Sequence, residues 1–367
     1  MPKNRNTAQS HSNVSQKSDM ATSIWNVKEF NSLRDVATIV PLEKTHISVS
    51  GLLPNEVANR ILDSLRRLSI SSIFRRSKAT LLAESLDRTQ FYIRLFKKID
   101  GANRAIVVEL QRRNGCSLTF VSMARTILRE VKHGYIDEES TSNMYVATHD
   151  KNIITATDDR THKEMEEDMT FELELVADNL VENCFIDAKL IAMGSLRALL
   201  DGWSTDSRIS LAAANNILRG DDDTHEAIKR SIFQYVCHPC HEKYFHNELE
   251  ERHCLVMHNL ALAALANMLQ IFSESRNELQ VIVKSDEWLG DKGLLAVLIE
   301  ELRFSETRPH DAYQAMRCLN AIIGVSSDVK SRAIELGIRS AMGISQNVGH
   351  CRHALLARES DIGISMV

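Results

Sequence analysis

Cys237-His238-Pro239-Cys240-His241 is the segment whose residue types come nearest to chemistry, with His246, His253 and Cys254 close behind it. A Cys-x-x-Cys pair followed by further nitrogen or sulfur donors is what tetrahedral zinc takes. No second Cys-x-x-Cys and no spaced histidine pair closes the set, so the expectation is no bound metal. A redox Cys-x-x-Cys precedes a helix in a strand-rich fold, whereas this one lies between helical patterns. His241 and His246 miss the metalloprotease spacing by one residue, which turns the two imidazoles to different faces of a helix. The chain has no glycine-rich phosphate loop, no Gly-x-Ser-x-Gly elbow and no kinase catalytic loop. With no nucleophile, base and oxyanion donor to assemble, the expectation is a non-enzymatic protein that needs no cofactor.

Charge is the second chemical signal. Between Gly51 and His133 sixteen lysines and arginines face seven acids, although the whole chain carries a net charge of −5. Arg75, Arg76, Lys97, Lys98, Arg112 and Arg113 are the candidate contacts to an anionic surface such as phospholipid headgroups. The overall charge predicts no bulk attraction to nucleic acid. Phe91, Tyr92 and Phe96 are expected to pack across strands and not to stack on bases, so no nucleic-acid partner is expected.

These residues need elements to hold them. Residues 1–50 are expected to form a disordered N-terminal tail; the first twenty or so are almost entirely polar, and 23–50 receive no fixed structure. Residues 51–133 form a basic α+β domain. Pro54 opens a helix marked by Val57, Ile61, Leu65 and Leu68, and a strand follows at Thr80–Glu84. Phe91, Ile93 and Leu95 alternate with Tyr92, Arg94 and Phe96, then Ile106, Val108 and Leu110 repeat the alternation after a turn at Gly101-Ala102-Asn103. Gly115–Thr119 reads as a short strand, and Phe120, Met123, Ala124, Ile127, Leu128 and Val131 trace a helical stripe. Residues 134–169 form an acidic linker.

Everything in 170–367 is expected to be helical, at 170–182, 185–201, 207–219, 224–236, 249–272, 276–284, 292–303, 310–324, 327–336 and 338–345. The fold class is therefore mainly α, a helical repeat array preceded by a small α+β domain with an antiparallel sheet. Hydrophobic residues make up 44% of the chain and aromatics 5%, which favours helix-on-helix packing. The seven cysteines are scattered and odd in number, as expected of buried free thiols in a reducing compartment. No stretch is expected to span a bilayer and no secretory signal is evident, so the expected location is cytoplasmic, with the nucleus as the second compartment.

Ala264-Leu265-Ala266-Asn267-Met268-Leu269 resembles the third-helix signature of armadillo repeats. Ala213-Ala214-Asn215-Asn216-Ile217-Leu218 fits it more loosely, and Cys318-Leu319-Asn320-Ala321-Ile322 keeps the apolar frame with Ala321 in the asparagine position. The resemblance, to armadillo and HEAT-type repeats, covers about 170–350. It implies stacked helices with Leu265, Met268, Leu319, Ile322 and Leu336 in the core, and Asn216 and Asn267 on one concave face as peptide-binding residues. The helix–strands–helix order of 51–133 is similar to the kinase-associated C-terminal domain, a resemblance that implies binding of acidic lipid. The expected function is a protein–protein interaction scaffold or adaptor, with peripheral membrane regulation through the basic domain as the alternative. Ser365-Met366-Val367 fits a C-terminal ligand that adds to a partner's sheet edge.

Overall fold

The computed structural model describes residues 25–27, 29–37, 41–74, 79–100, 103–135, 162–181, 185–202, 205–220, 222–237, 248–273 and 276–367. A sheet with two helices comes first and a helical array follows.

The sheet holds β1 (Arg34–Asp35), β2 (His46–Ser50), β3 (Ser71–Phe74), β4 (Thr80–Glu84), β5 (Gln90–Asp100) and β6 (Asn103–Asn114). Its order is β2-β6-β5-β4-β3, all antiparallel, with β1 added in parallel to β5. One residue in two along β4, β5 and β6 faces the helices: Leu81, Phe91, Ile93, Leu95, Ile106, Val108 and Leu110 are each at most 2% exposed. α1 (Pro54–Arg67) and α2 (Ser117–His133) lie against each other and against the sheet, closing the core with Val57, Ile61, Leu65, Phe120 and Ile127. Pro54 starts α1 at the position where a missing N–H costs nothing.

Two expectations for this region are corrected. Residues 25–50 are not a disordered tail in their described part: Trp25, Val27 and Leu33 are buried in the sheet domain's core, and β1 and β2 extend its sheet. Those few apolar residues had no periodicity of their own; the sheet supplies the surface they bury. Residues 1–24 lie outside the described residues. Nor is Gly115–Thr119 a strand. Gly115 has φ +91° and Cys116 caps α2, so the chain turns directly into the helix. A Cβ at Gly115 would stand 2.5 Å from the Thr89 Cα, which only glycine avoids.

Beyond the acidic segment, of which 136–161 lies outside the described residues, the helices are α3 (His162–Val181), α4 (Ile186–Leu199), α5 (Ser207–Arg219), α6 (Asp223–Cys237), α7 (Glu248–Phe272), α8 (Arg276–Ile282), α9 (Asp286–Leu289), α10 (Leu294–Arg303), α11 (Pro309–Ile323), α12 (Ser327–Glu335), α13 (Ile338–Arg352) and α14 (Ala354–Met366). They pack in two layers. One runs α3-α6-α10-α13 and the other α4-α7-α11-α14, with α3–α4, α6–α7, α10–α11 and α13–α14 paired across the layers. Each pair buries its apolar faces on the next, so a single continuous core runs from Met169 to Leu356. Leu265, Met268, Leu319 and Ile322 lie in that core at 0–1% exposure, while Leu336 packs at its margin.

The expected linker end at 169 is corrected, because α3 already begins at His162. The C-terminal segment is helical through Met366, and its carbonyls accept from Lys330 Nζ (2.8 Å) and Arg339 Nη2 (3.0 Å), so Ser365-Met366-Val367 is not an extended ligand. The expectation that no stretch approaches a membrane span also needs correction. Leu249–Phe272 of α7 is long and apolar enough by length and composition, with a mean hydropathy of 1.5. It is 67% buried, packed on α4, α5, α6 and α11, which makes it the central helix of the array.

Candidate functional site

The sheet domain docks on the array through the β4–β5 turn and the turn after α1. Ser69 (φ 53°) and Arg88 (φ 63°) are the non-glycine residues with left-handed backbone among those described, and both reach across the seam. A left-handed turn residue costs roughly 1–2 kcal/mol, so such conformations persist where surrounding contacts hold them. Ser69 Oγ accepts the Leu355 N–H at 2.9 Å, at the start of α14. Arg88 donates to Glu84 Oε1 (2.6 Å) on its own domain and to Asp311 Oδ1 (2.7 Å) at the start of α11.

Around Asp311 the array contributes a buried polar cluster. Asn259 of α7 donates to the same Oδ1 at 2.7 Å. His258, also of α7, sets Nδ1 2.8 Å from the Tyr235 carbonyl and Nε2 3.4 Å from Glu301 Oε1 of α10. Arg308 Nη2 stands 3.3 Å from Glu301 Oε2. His258, Glu301 and Asp311 are 1–2% exposed, and their donor atoms lie within 4.8 Å of one another.

Charges balance within the cluster. Burial alone would raise the pKa of Asp311, but Arg88 and then His258 outweigh it and hold the carboxyl below its usual range. Glu84 is lowered in the same way, burial being outweighed mainly by Arg88. For His258 burial opposes the charge, yet Glu301 and Asp311 raise its pKa. Three carboxylates, Glu84, Glu301 and Asp311, thus meet two guanidiniums and the His258 imidazole.

A second histidine pair completes the seam. The Leu356 N–H donates to His353 Nδ1 at 3.1 Å, which leaves His353 Nε2–H to donate to His310 Nδ1 at 3.0 Å. His310 Nε2–H then donates to the Glu84 carbonyl across the seam at 3.0 Å. Every ring nitrogen is engaged with both imidazoles neutral, and no acceptor remains for an added proton. Burial, then the Arg88 charge, push the His310 pKa down to about 4, and burial with His310 lowers His353 well below the usual value.

None of these residues was singled out from sequence. His258, Asn259, Glu301, His310 and Asp311 are polar residues on otherwise apolar helices, the one signal available; Glu84 ends a strand, and Ser69, Arg88, Arg308 and His353 lie in turns or at helix caps. The residues that were singled out fall elsewhere. Asn267 is half-buried on α7; its Nδ2 donates to the Arg197 carbonyl of α4 (3.3 Å) and its Oδ1 accepts from Arg317 of α11 (2.9 Å). Asn216 is half-buried on α5, outside the α4-α7-α11-α14 layer, so the two asparagines do not occupy equivalent helices. The loose fit of 213–218 therefore reflects a connecting helix with the same apolar spacing.

The basic candidates are not brought together. Arg75 and Arg76 lie outside the described residues. Lys97 pairs with Asp35 at 3.6 Å, and Lys98 next to it is exposed. Arg112 donates to the Gly115 carbonyl (2.7 Å) and Arg113 to the Tyr92 hydroxyl (3.1 Å). Lys97 pairs with Ile106 in the β5–β6 register, six residues from Arg112; at about 3.4 Å per residue that is roughly 20 Å. Of the Cys-His segment, 238–247 lies outside the described residues. Cys237 is a free thiol that burial pushes up to about 11, and Cys254 is disulfide-bonded, which removes it as a zinc ligand and corrects the expectation of uniformly free thiols. Cys116 and Cys351 are exposed, again unlike the buried thiols expected. No protein-family model, no curated protein and no solved structure matches this chain.

Proposed function

We propose that the chain is a non-enzymatic scaffold that binds protein along an armadillo-type helical array, with the sheet domain clasped to the array's edge. One observation carries this reading. The α4-α7-α11-α14 layer has a line of polar side chains tying successive helices: Asn267 to α4, Arg317 to Asn267 and Gln270 of α7, and Asn320 to Glu359 of α14. A layer so braced is a rigid surface, and rigidity lowers the entropic cost of binding an extended partner. Gln270 is exposed beside that line; its Oε1 accepts from Arg317 at 2.6 Å, and its amide NH₂ can donate to a partner's backbone. The titratable cluster at the seam argues against catalysis, because groups 1–2% exposed cannot meet a substrate.

Affinity purification of full-length protein tests the reading. Gln270→Arg should lose the partner set recovered with the parent, Arg113→Glu should keep it, and both should melt with the parent. Partners retained by Gln270→Arg and lost with Arg113→Glu would move the function to the basic sheet domain. Sedimentation with acidic vesicles would then decide for the lipid alternative.

A further inference from the structure

His258, Glu301 and Asp311 come from three helices, α7, α10 and α11, and converge only because the array stacks them. The His258 ring is oriented for ligation. Its Nδ1 faces the Tyr235 carbonyl at 2.8 Å, the backbone partner that leaves the Nε2 lone pair pointing away. That Nε2 is buried and has no hydrogen bond, being within ion-pair reach of Glu301 but poorly directed. Glu301 Oε2 is likewise buried without a hydrogen bond. Outer partners are already in place, with Asn259 on Asp311 and Arg308 beside Glu301.

We propose that His258, Glu301 and Asp311 are the protein ligands of one divalent first-row cation of the zinc class, which competes with the Arg88 guanidinium for Asp311. One imidazole nitrogen and two carboxylates are a donor set that zinc accepts, with a fourth position left for the Asn259 carbonyl or water. Metal–ligand distances of about 2.0–2.2 Å put donor atoms roughly 3.3 Å apart, so a set spread within 4.8 Å must close by about 1.5 Å at most. Charge favours the exchange. With Arg88 and its partner Glu84 withdrawn together, Glu301 and Asp311 against Arg308 leave a net negative charge, which a cation offsets. Cation binding therefore releases Arg88 from Asp311 and loosens the sheet domain from the array.

The test uses full-length protein stripped with chelator and titrated with Zn²⁺ alone by calorimetry, with Co²⁺ as a spectroscopic probe. The expected result is one ion per chain, at least tenfold tighter binding by Arg88→Met, and its loss in Asp311→Asn and His258→Gln. Cobalt should give visible bands without the intense near-ultraviolet band of thiolate ligation, which separates this site from Cys237. Because Asp311→Asn could unfold the seam, circular dichroism accompanies each variant, and the comparison of Arg88→Met with the parent stands without it. Binding equally tight in parent and Arg88→Met, uptake by neither, or uptake unaltered in folded Asp311→Asn would overturn the proposal.

Discussion

Replacing Arg88 by Met keeps an unbranched side chain at this position and removes the charge and the N–H donors to Glu84 and Asp311. Asp311, 2% exposed, would then keep the Asn259 hydrogen bond and lose the guanidinium that donates to it at 2.7 Å. Removing one partner of a buried ion pair costs about 3–5 kcal/mol, because the remaining charge is left uncompensated. The retained Asn259 bond and the 20% exposure of Arg88 put the expectation at the lower end, about 3 kcal/mol. Equilibrium urea unfolding with chelator present measures this, and two buried tryptophans report on the two halves: Trp25 in the sheet domain and Trp288 in the array. Arg88→Met/Asp311→Asn should cost less than the sum of the single changes, since residues in one network couple by about 0.5–3 kcal/mol. A loss of under about 0.5 kcal/mol for Arg88→Met, the range of ordinary surface changes, would mean that the guanidinium is solvated and the clasp does not hold the domains.

Leu319→Ala, at a site 0% exposed on α11, should cost about 2–5 kcal/mol, and an unaltered thermal melt would contradict the packing register. Acid should weaken the seam: an unfolded histidine takes a proton near pH 6.5, but His310 refuses it until about 4, so stability is complete above that window and falls as pH drops through it. A urea midpoint constant from neutral pH into the window would refute the neutral histidine chain. Iodoacetamide at neutral pH should modify Cys116 before Cys237. The Thr119 amide and hydroxyl and the Leu118 amide at the start of α2 lower the Cys116 pKa, whereas burial pushes Cys237 up to about 11; mass spectrometry showing the reverse order would refute this.

Much of the array was legible because helix formation is local. Apolar residues at three- and four-residue steps marked α5, α7, α11 and α12 to within a residue or two, and Gly220 and Gly337 stop or start helices with positive φ as their position suggested. Alternation marked β5 and β6 for the same reason. The last helix, α14, escaped notice because its sequence, Ala354–Met366, carries small and polar residues whose apolar face becomes evident only against α11 and α13.

The sequence by itself determined the class of fold, the order of its two parts and most helix boundaries, since these depend on contacts within a few residues. Tertiary structure alone decided the docking of Trp25 and Leu33, the placement of Asn216 and Asn267 on non-equivalent helices and the dispersal of the basic residues. It also decided the seam, where Arg88 meets Asp311 across 223 residues of chain. Charged groups so far apart leave no periodic trace in a sequence. Their partners are set by how whole helices stack, and burial is what turns an ordinary arginine and aspartate into a clasp.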